Sequence, residues 1–349
     1  MRKADFTQVE FGLDTFGDVT RDANGEQLTD AQTIRNVVEQ AAQADRVGLA
    51  YFGVGEHHRA DFAISSPEIV LAAAAARTQN IHLGTGVTVL SSDDPVRLYE
   101  RFATLAAVSG GRAEVTLGRG SFIESFPLFG YELSDYEVLF EEKLDLFSQL
   151  LREEPVTWQG RTRGPLNGAN VFPKTENGIR AWVGVGGTPE SVVRAARYGY
   201  GLALAIIGGP AARFRPFVDL FHQSVESFGH EPLPVAVHSP GHIADTDEEA
   251  WEQAYPNFAD SNNRIGRERG WPAYNRLRFQ HDVGPEGSVY AGSPETVAAK
   301  MADTIRILGL QRFDLKFSNG PLSHEHMMRS IELYGTEVVP RVRALLDAD

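Results

Sequence analysis

The chain has 349 residues, of which 42% are hydrophobic, enough apolar material for a large buried core. Its formal net charge is −14, and a protein this acidic repels phosphate backbones and anionic lipid, so nucleic-acid and membrane partners are not expected. It contains no cysteine, which excludes disulfides, thiolate metal sites and thiol nucleophiles.

Strand-like and helix-like segments alternate along the first part of the chain. Four predicted strands begin at residues 8, 50, 80 and 112 and read QVEFGLDTF, AYFGVG, NIHLGTGVTVL and RAEVTLG. Helices between them have clear start signals, because Ser66 precedes Pro67 and a similar cap-then-proline pair opens DDPVRLYERF. Each strand is therefore followed by a helix.

The alternation continues in the second part of the chain, with two interruptions. The strands there read IRAWVGVGG, GLALAIIGG, PLPVAVHSPGHIA and RFDLKFS. Residues 153–180 are rich in Gly, Pro and Asn, which predicts an excursion with a short hairpin. Residues 246–292 contain a polar, Arg-rich stretch punctuated by Gly, which predicts a long loop, an excursion or a lid after the seventh strand.

Eight strand–helix units in one register predict an α/β fold, a single (β/α)8 TIM-barrel domain over residues 1–349 with insertions after strands four and seven. The main alternative is an open doubly wound sheet. The count of eight units and a last helix with nothing after it favour the barrel. Barrel active sites lie at the carboxyl ends of the strands, and that rule selects the residues considered next.

Two strand ends carry elements that suit an anion such as phosphate. After the fifth strand, Gly186 and Gly187 lead to Thr188 at a helix N-cap, where free backbone N–H groups can bind an anion. After the fourth strand, Arg119 stands between two glycines and could pair with the same phosphate. An ordinary loop and a structural ion pair are the alternative readings.

The third strand contains two internal glycines in the stretch HLGTGVTVL. Glycine weakens a strand and often marks a bulge or a place where a ligand approaches the backbone closely. A flat ring lying against bare backbone is one such use, and a barrel corner that needs room is another.

The stretch GEHH places Glu56, His57 and His58 directly after the second strand. Adjacent side chains of an extended chain point in opposite directions, so the two histidines are poorly placed to share one ion and no metal site is predicted. For the same reason, only one of them is expected to face the pocket. A histidine there suits acid–base chemistry near neutral pH, and a purely structural histidine remains the alternative.

These segments, in this order, resemble the bacterial luciferase-like flavin monooxygenase family. The similarity runs from about Gln8 to Leu345 and is carried by FGLDTF, GEHH, LGTGVTVLSSDDPVRLYERFATLAAVSGGR, LGRGS, WVGVGGTPESVVRAARYG and AGSPETVAAK. The resemblance implies a barrel that binds reduced FMN, which reacts with O2 to a flavin hydroperoxide that attacks a small organic substrate. Because no second domain or nicotinamide motif is found, a separate flavin reductase is the expected partner.

The resemblance also implies roles for individual residues. His57 matches the catalytic histidine of the family, with Glu56 and His58 as candidates for supporting it. A non-proline cis peptide that supports the flavin ring is expected at Gly86–Val87. The expected phosphate-binding positions are Arg119, Gly186, Gly187, Thr188 and, less directly, Ser191.

The chain also departs from luciferase itself. The reactive cysteine of luciferase is replaced by Gly118, so light emission is not implied. Family members are commonly homodimers, and the absence of a signal-peptide pattern or a run of about 18 apolar residues leads us to expect a cytoplasmic protein. Phe16, Phe122 and the region of Trp271 are candidates for an apolar cavity wall, but the substrate is not predicted.

Three alternatives to an FMN monooxygenase remain open. Some relatives on this barrel use a deazaflavin for hydride transfer, although GEHH favours FMN. A flavin-binding protein without catalysis is the second alternative, and the retention of His57 speaks against it. A metal-dependent barrel hydrolase is the third and most remote.

Overall fold

A computed structural model describes residues 6, 8–22 and 24–348. Its strands are β1 Glu10–Thr15, β2 Tyr51–Val54, β3 His82–Thr85, β4 Thr88–Val89, β5 Glu114–Gly118, β6 Val156–Trp158, β7 Leu166–Ala169, β8 Arg180–Val185, β9 Gly201–Ala205, β10 Val235–Ile243, β11 Tyr290–Gly292 and β12 Arg312–Lys316. Its helices are α1 Asp30–Arg46, α2 Pro67–Ala75, α3 Pro95–Ser109, α4 Ser125–Leu128, α5 Tyr136–Leu150, α6 Pro189–Arg197, α7 Arg215–Ser227, α8 Asp247–Arg269, α9 Arg276–Val283, α10 Pro294–Leu308, α11 His324–Leu333 and α12 Val339–Asp347.

The main sheet is a barrel of parallel strands. Among the described residues, nine strand segments follow one another in the order β3–β2–β1–β12–β10–β9–β8–β5–β4. β3 and β4 are two halves of the predicted third strand, so the nine segments correspond to eight predicted strands. β4 pairs with β5, and a bridge joins Leu83 of β3 to Ala113, the residue directly before β5. These two contacts close the ring. The predicted TIM barrel is thereby confirmed.

Alternate residues of each strand have opposite environments, as the pleat requires. In β12, Phe313 and Leu315 are fully buried in the apolar core between the barrel and its helices. The residues that alternate with them are Arg312, Asp314 and Lys316. They are also buried but lie inside the barrel, where Asp314 and Lys316 border a cavity. The barrel interior is therefore charged in this region, whereas the apolar core lies outside the strands.

Arg312 is the centre of this interior charge cluster. Its side chain is only 1% exposed, and its guanidinium carbon lies 4.1 and 4.2 Å from the ring centres of Tyr51 and Trp182. Nη1 donates to Glu114 Oε2 at 2.7 Å, and Nε lies 3.3 Å from Asp314 Oδ2. Arg312 thus lies between two aromatic faces and pairs with two buried carboxylates.

The two segments that interrupt the strand–helix rhythm differ in structure. Residues 153–180 contain the antiparallel strands β6 and β7, so the predicted short hairpin is present. Residues 246–292 are mostly helical, since α8 and α9 occupy most of this segment. The expectation of a long loop there was wrong. Within the described residues, none of the helices is both long and apolar enough to span a bilayer.

The reason for the helix at α8 lies in its local sequence. Thr246 caps the helix by accepting a hydrogen bond from the Glu249 N–H at 3.1 Å, and three acidic residues follow in the first turn. Ala250, Ala254 and Phe258 recur every four residues and are buried. Pro256 within the helix and the polar residues of its second half obscured this apolar pattern in the sequence.

Candidate active site

A cavity of about 1370 Å³ opens at the carboxyl ends of the barrel strands. Residues that follow β1, β2, β5, β8 and β9 line it, and α8 contributes part of its outer wall. Pockets for a single small molecule are usually about 300–1,000 Å³, so this cavity has room for a cofactor and a substrate together. Its position is the one expected for a barrel enzyme.

Most of the residues that the sequence selected meet at this cavity. Those that border it are His57, Gly86, Val87, Arg119, Gly186 and Gly187, together with Glu56, His58, Phe16, Phe122 and Trp271. Thr188 and Ser191 do not border the cavity. Thr188 Oγ1 donates to Ser191 Oγ at 2.8 Å, and Ser191 is only 4% exposed.

His57 is surrounded by aromatic rings. Its ring centre lies 4.5 Å from that of Phe16, 4.4 Å from that of Phe62 and 5.4 Å from that of Phe122. Burial among these rings, with a further contribution from the positive charge of Lys316, lowers the pKa of His57 to about 3. The imidazole is therefore neutral at physiological pH and can accept a hydrogen bond.

Glu56 and His58 support the loop that carries His57. Glu56 Oε1 lies 2.9 Å from His58 Nε2, and Glu56 Oε2 accepts a hydrogen bond from the Val89 N–H at 2.8 Å. Both histidines border the cavity, so the expectation that only one would face it was wrong. β2 ends at Val54, and the irregular chain beyond it does not keep the strict alternation of a strand.

One wall of the cavity is made of nearly bare backbone. The Gly86–Val87 peptide is cis, at the position that the resemblance indicated, and it separates β3 from β4. An added Cβ at Gly118 or Gly184 would lie 2.4 or 2.7 Å from the Val87 side chain, so only glycine leaves room for that valine. At Gly186 an added Cβ would meet no atom within 4 Å, because the space in front of it is open.

Arg119 borders the cavity at the end of β5. Its guanidinium forms an ion pair with Glu137 and lies 5.2 Å from the centre of the Tyr136 ring. Arg194 lies 3.5 Å from the same carboxylate, so one exposed glutamate serves two arginines. Solvent weakens such exposed pairs, and an anionic ligand could therefore replace Glu137 as the partner of Arg119.

Several ionisable residues of the site were not selected from the sequence. The side chains concerned border the cavity and are Asp14, Arg213, His238, Asp314 and Lys316. The signal for the last two was present in RFDLKFS, where charged and apolar residues alternate with the period of a strand. No such pattern marks Arg213, which follows β9 and, in the part of the chain that the structure describes, has no acidic partner.

The end of α8 is attached across the cavity mouth by contacts that we call the α8 clasp. Glu268 accepts hydrogen bonds from both terminal nitrogens of Arg59, at 2.9 and 2.7 Å. Arg269 donates to the carbonyl of Ser121 at 2.8 Å. The Phe122 ring is contacted by both arginines, with its centre 4.6 Å from the guanidinium carbon of Arg59 and 4.8 Å from that of Arg269.

The α8 clasp is expected to hold residues 260–275 in place without contributing much to global stability, because Glu268 is half exposed and its ion pair is therefore screened by salt. Glu268→Gln should therefore increase hydrogen exchange in this segment and leave the midpoint of urea unfolding nearly unchanged. Hydrogen-exchange mass spectrometry makes this measurement. Glu332→Gln, which breaks the exposed Arg329–Glu332 pair on α11, is the matched control. Equal exchange in the two variants would contradict the prediction.

A metal centre is not apparent in the described chain. Within residues 6, 8–22 and 24–348, no group of three or more His, Asp or Glu side chains is placed to hold an ion.

Comparisons with known proteins connect this geometry to one family. The family model described as luciferase-like monooxygenase matches residues 15–312. Among characterised relatives, 4-hydroxyprotoasukamycin monooxygenase from Streptomyces nodosus subsp. asukaensis is 27% identical over 326 residues, which cover 89% of this chain and 87% of that protein.

Solved structures share the fold along almost the whole chain. Monooxygenase RslO1 from Streptomyces bottropensis superposes with a TM-score of 0.82 at 23% identity, covering 95% of this chain and 99% of that one. The oxygenating constituent of 3,6-diketocamphane monooxygenase from Pseudomonas putida, in complex with FMN, has a TM-score of 0.76 at 19% identity and coverages of 96% and 99%. The coenzyme F420-dependent tetrahydromethanopterin reductase from Methanopyrus kandleri has a TM-score of 0.73 at 21% identity, with the same coverages.

Proposed function

The chain belongs to the luciferase-like monooxygenase family, and on that premise we propose that it is an FMN-dependent monooxygenase that oxidises a small organic substrate with O2. When bound, reduced FMN would supply the electrons that activate O2. The observation that carries the proposal is that one cavity joins the bare-backbone wall at Gly86–Val87, the neutral His57 and the cation of Arg119. A flavin reductase as the source of reduced FMN, a cytoplasmic location and a homodimer complete the proposal.

The residues of the cavity fit such a cofactor. The wall around Gly86 suits a planar ring system, because Gly86 has no side chain and the absence of Cβ atoms at Gly118 and Gly184 lets the Val87 side chain pack close against the neighbouring strands. The free space in front of Gly186 lies close to the start of α6 at Pro189, and the backbone N–H groups of a helix start favour an anion. Arg119, which borders the cavity at the end of β5, would balance the charge of a phosphate, and Arg213 is a second cation of the same lining.

The chain's own residues then have distinct tasks. His57, kept neutral by burial, would accept a hydrogen bond next to the reacting atoms. Phe16, Phe62 and Phe122 keep water away from that imidazole. Glu56 fixes the loop through its bond to the Val89 N–H. Thr188 and Ser191 remain in the proposal only as residues that support the phosphate loop from behind.

Arg119→Gln is expected to weaken FMN binding about ten- to a hundredfold, because a charge-assisted hydrogen bond contributes about 1.5–3 kcal/mol. Quenching of FMN fluorescence on titration with protein gives the dissociation constant. Riboflavin, which has no phosphate, should bind Arg119→Gln and the unmodified protein equally well. Arg161→Gln, at an exposed residue of the hairpin excursion, is the matched control.

The outcome of these titrations discriminates between the possible functions. If Arg119→Gln weakens riboflavin as much as FMN, Arg119 does not bind the phosphate. Tighter binding of a deazaflavin than of FMN would replace the monooxygenase by a hydride-transfer enzyme. If FMN binds but the reduced complex consumes O2 no faster than free reduced FMN over a panel of substrates, the protein is a flavin carrier without catalysis.

A further inference from the structure

We propose that Asp14 and His238 form a general base on the floor of the cavity, and that the substrate is a planar compound with an acidic hydroxyl group, such as a phenol or an enol. The proposal deepens the proposed function, since the deprotonated substrate is the species that the enzyme would oxidise. Binding and deprotonation themselves require no flavin.

The two residues come from different strands of the barrel. Asp14 lies near the end of β1 and His238 lies within β10, and only β12 separates these strands. His238 Nδ1 forms a hydrogen bond with Asp14 Oδ2. An ionised carboxylate only accepts hydrogen bonds, so in that form Asp14 holds the proton on Nδ1 and leaves Nε2 of the neutral ring as an acceptor.

The accepting nitrogen is free to meet a ligand. Within the described residues, no group hydrogen-bonds to His238 Nε2, and His238 borders the cavity with 16% of its side chain exposed. A histidine with a purely structural role would be expected to use both ring nitrogens. A carboxylate-held imidazole with an open Nε2 is instead the arrangement of a general base.

The pair lies close to the wall that the flavin would occupy. Asp14 is 3% exposed, and its Oδ1 atom has no hydrogen-bond partner in the described part of the chain. Leaving a buried carboxylate oxygen unpaired costs free energy, which favours a role for it when a ligand is present. An ideal Cβ on Gly86 would lie 3.8 Å from Asp14 Oδ2, so the pair is directly beside the Gly86–Val87 peptide.

The surroundings of His238 favour an aromatic or similarly flat ligand. The ring of Phe16 is nearly parallel to that of His238, with an interplanar angle of 10° and ring centres 5.8 Å apart. Phe16 also contacts His57, and Phe62 and Phe122 extend the same aromatic surface. A planar substrate can therefore stack on this surface while its hydroxyl group reaches the floor.

Charged groups surround His238 on the neighbouring strands. Asp14 on β1 contacts it directly, and Asp314 is its register partner on β12. Asp314 is itself paired with Arg312, and Lys316 lies 4.5 Å from the centre of the Phe16 ring. Ala205, the neighbour on β9, is uncharged. Asp14 is therefore the carboxylate that holds the ring in position.

His57 is less suited to the same task. Among the described residues, no carboxylate pairs with it, and its surroundings are aromatic rings and positive charges. Such an environment disfavours an imidazolium. The two histidines would thus divide the chemistry, with His238 taking the substrate proton and His57 acting as a neutral partner near the cofactor.

The step itself moves a single proton. The substrate O–H proton passes to His238 Nε2, the oxygen keeps the bonding electron pair, and Nδ1–H stays hydrogen-bonded to Asp14. The resulting oxyanion is electron-rich at its ring or enol carbon, which would then be oxidised with O2 and the two electrons of reduced FMN. The proton on Nε2 returns to solvent when the product leaves.

Binding of 4-nitrophenol without flavin tests the proposal, because its phenolate is yellow and its phenol form is nearly colourless. We expect the unmodified protein to lower the apparent pKa of the bound probe by about one unit or more, the usual effect of a nearby opposite charge. His238→Gln and Asp14→Asn should abolish the shift. His242→Gln is the matched control, since this buried histidine of the same strand does not border the cavity.

Each outcome decides for or against the proposal. Retention of the ionised probe in His238→Gln, or its loss in His242→Gln as well, overturns the assignment of His238. Failure of the unmodified protein to bind 4-nitrophenol overturns the substrate class. His238→Gly with added imidazole guards against misfolding, because restored ionisation shows an intact cavity and its absence counts against the base. Since no flavin is present, the result is independent of the FMN titrations that test the proposed function.

Discussion

Replacing Arg312 with methionine is expected to lower the free energy of unfolding by about 3–5 kcal/mol, the usual cost of removing one partner from a buried ion pair. Arg312 and Glu114 are each 1% exposed, and Asp314 also lies beside the guanidinium. Methionine would keep most of the volume between Tyr51 and Trp182 but would leave Asp314 without its ion-pair partner and Glu114 with only the more exposed Arg180 and His82. Urea unfolding followed by circular dichroism measures the change.

The local electrostatics explain why this effect should be large. Burial alone would raise the pKa of Glu114, but Arg312, His82 and Arg180 hold it well below its usual range. Asp314 responds in the opposite direction, because burial, together with the charges of Asp14 and Glu114, raises its pKa to about 7 despite Arg312. Without Arg312, Asp314 would lose the only cation that lowers its pKa through an ion pair among the described residues, and Glu114 would lose the nearest of its partners.

The control for this prediction is Arg329→Met on α11. Arg329 pairs with Asp245 and Glu332 at the surface, and exposed pairs contribute little to stability, so a change within about 0.5 kcal/mol is expected. A similar loss of unfolding free energy in both variants would contradict the prediction that the buried ion pairs of Arg312 contribute more to stability than the surface pairs of Arg329. The double variant with Glu114→Gln should recover part of the loss, because the amide carries no charge that needs compensation.

His57→Gln is expected to make the protein less sensitive to acid. Burial lowers the pKa of His57 from its ordinary value of 6.5 to about 3. Between these two pH values the histidine is protonated in the unfolded chain and neutral in the folded protein. The stability contributed by the neutral ring is complete above pH 6.5 and is lost as the pH falls toward 3. The loss is about 1.4 kcal/mol per pH unit, or roughly 3 kcal/mol at pH 4.

The measurement is the free energy of unfolding from pH 8 to pH 4. Over this range, the free energy of unfolding of the unmodified protein should fall by about 3 kcal/mol more than that of His57→Gln. His242→Gln should act in the same direction, because burial lowers the pKa of His242 to about 4. His281→Gln, with its side chain 68% exposed, is the control. Parallel curves for His57→Gln and the unmodified protein would rule out this linkage.

Local sequence patterns were sufficient for most of the scaffold. Periodicities of two and 3.6 residues, with proline and capping residues at helix starts, predicted the eight strand–helix units of the barrel. The pattern was insufficient at α8, because this helix contains Pro256, a residue that disfavours a helix interior. It was also insufficient inside the barrel, where charged residues such as Asp314 occupy positions that the sequence analysis left unassigned.

The residues of the candidate site were likewise predicted only in part from the sequence. Strand ends in the sequence, read with the family resemblance, selected His57, Gly86–Val87 and Arg119, because their place in the fold follows from the order of elements along the chain. Thr188 and Ser191 were selected by the same reasoning, yet their hydroxyls bond to each other away from the cavity. A side-chain rotamer depends on neighbours that the linear sequence does not identify.

The sequence by itself determined the architecture, the strand end that carries GEHH, and the family, because each of these depends on patterns within about twenty consecutive residues. Only the tertiary structure decided which charges meet. Asp14 and His238 are 224 residues apart, and Glu114 and Arg312 are 198 residues apart. Contacts of this kind depend on the register of the closed barrel, since a shift of one residue between strands would turn every inward side chain outward.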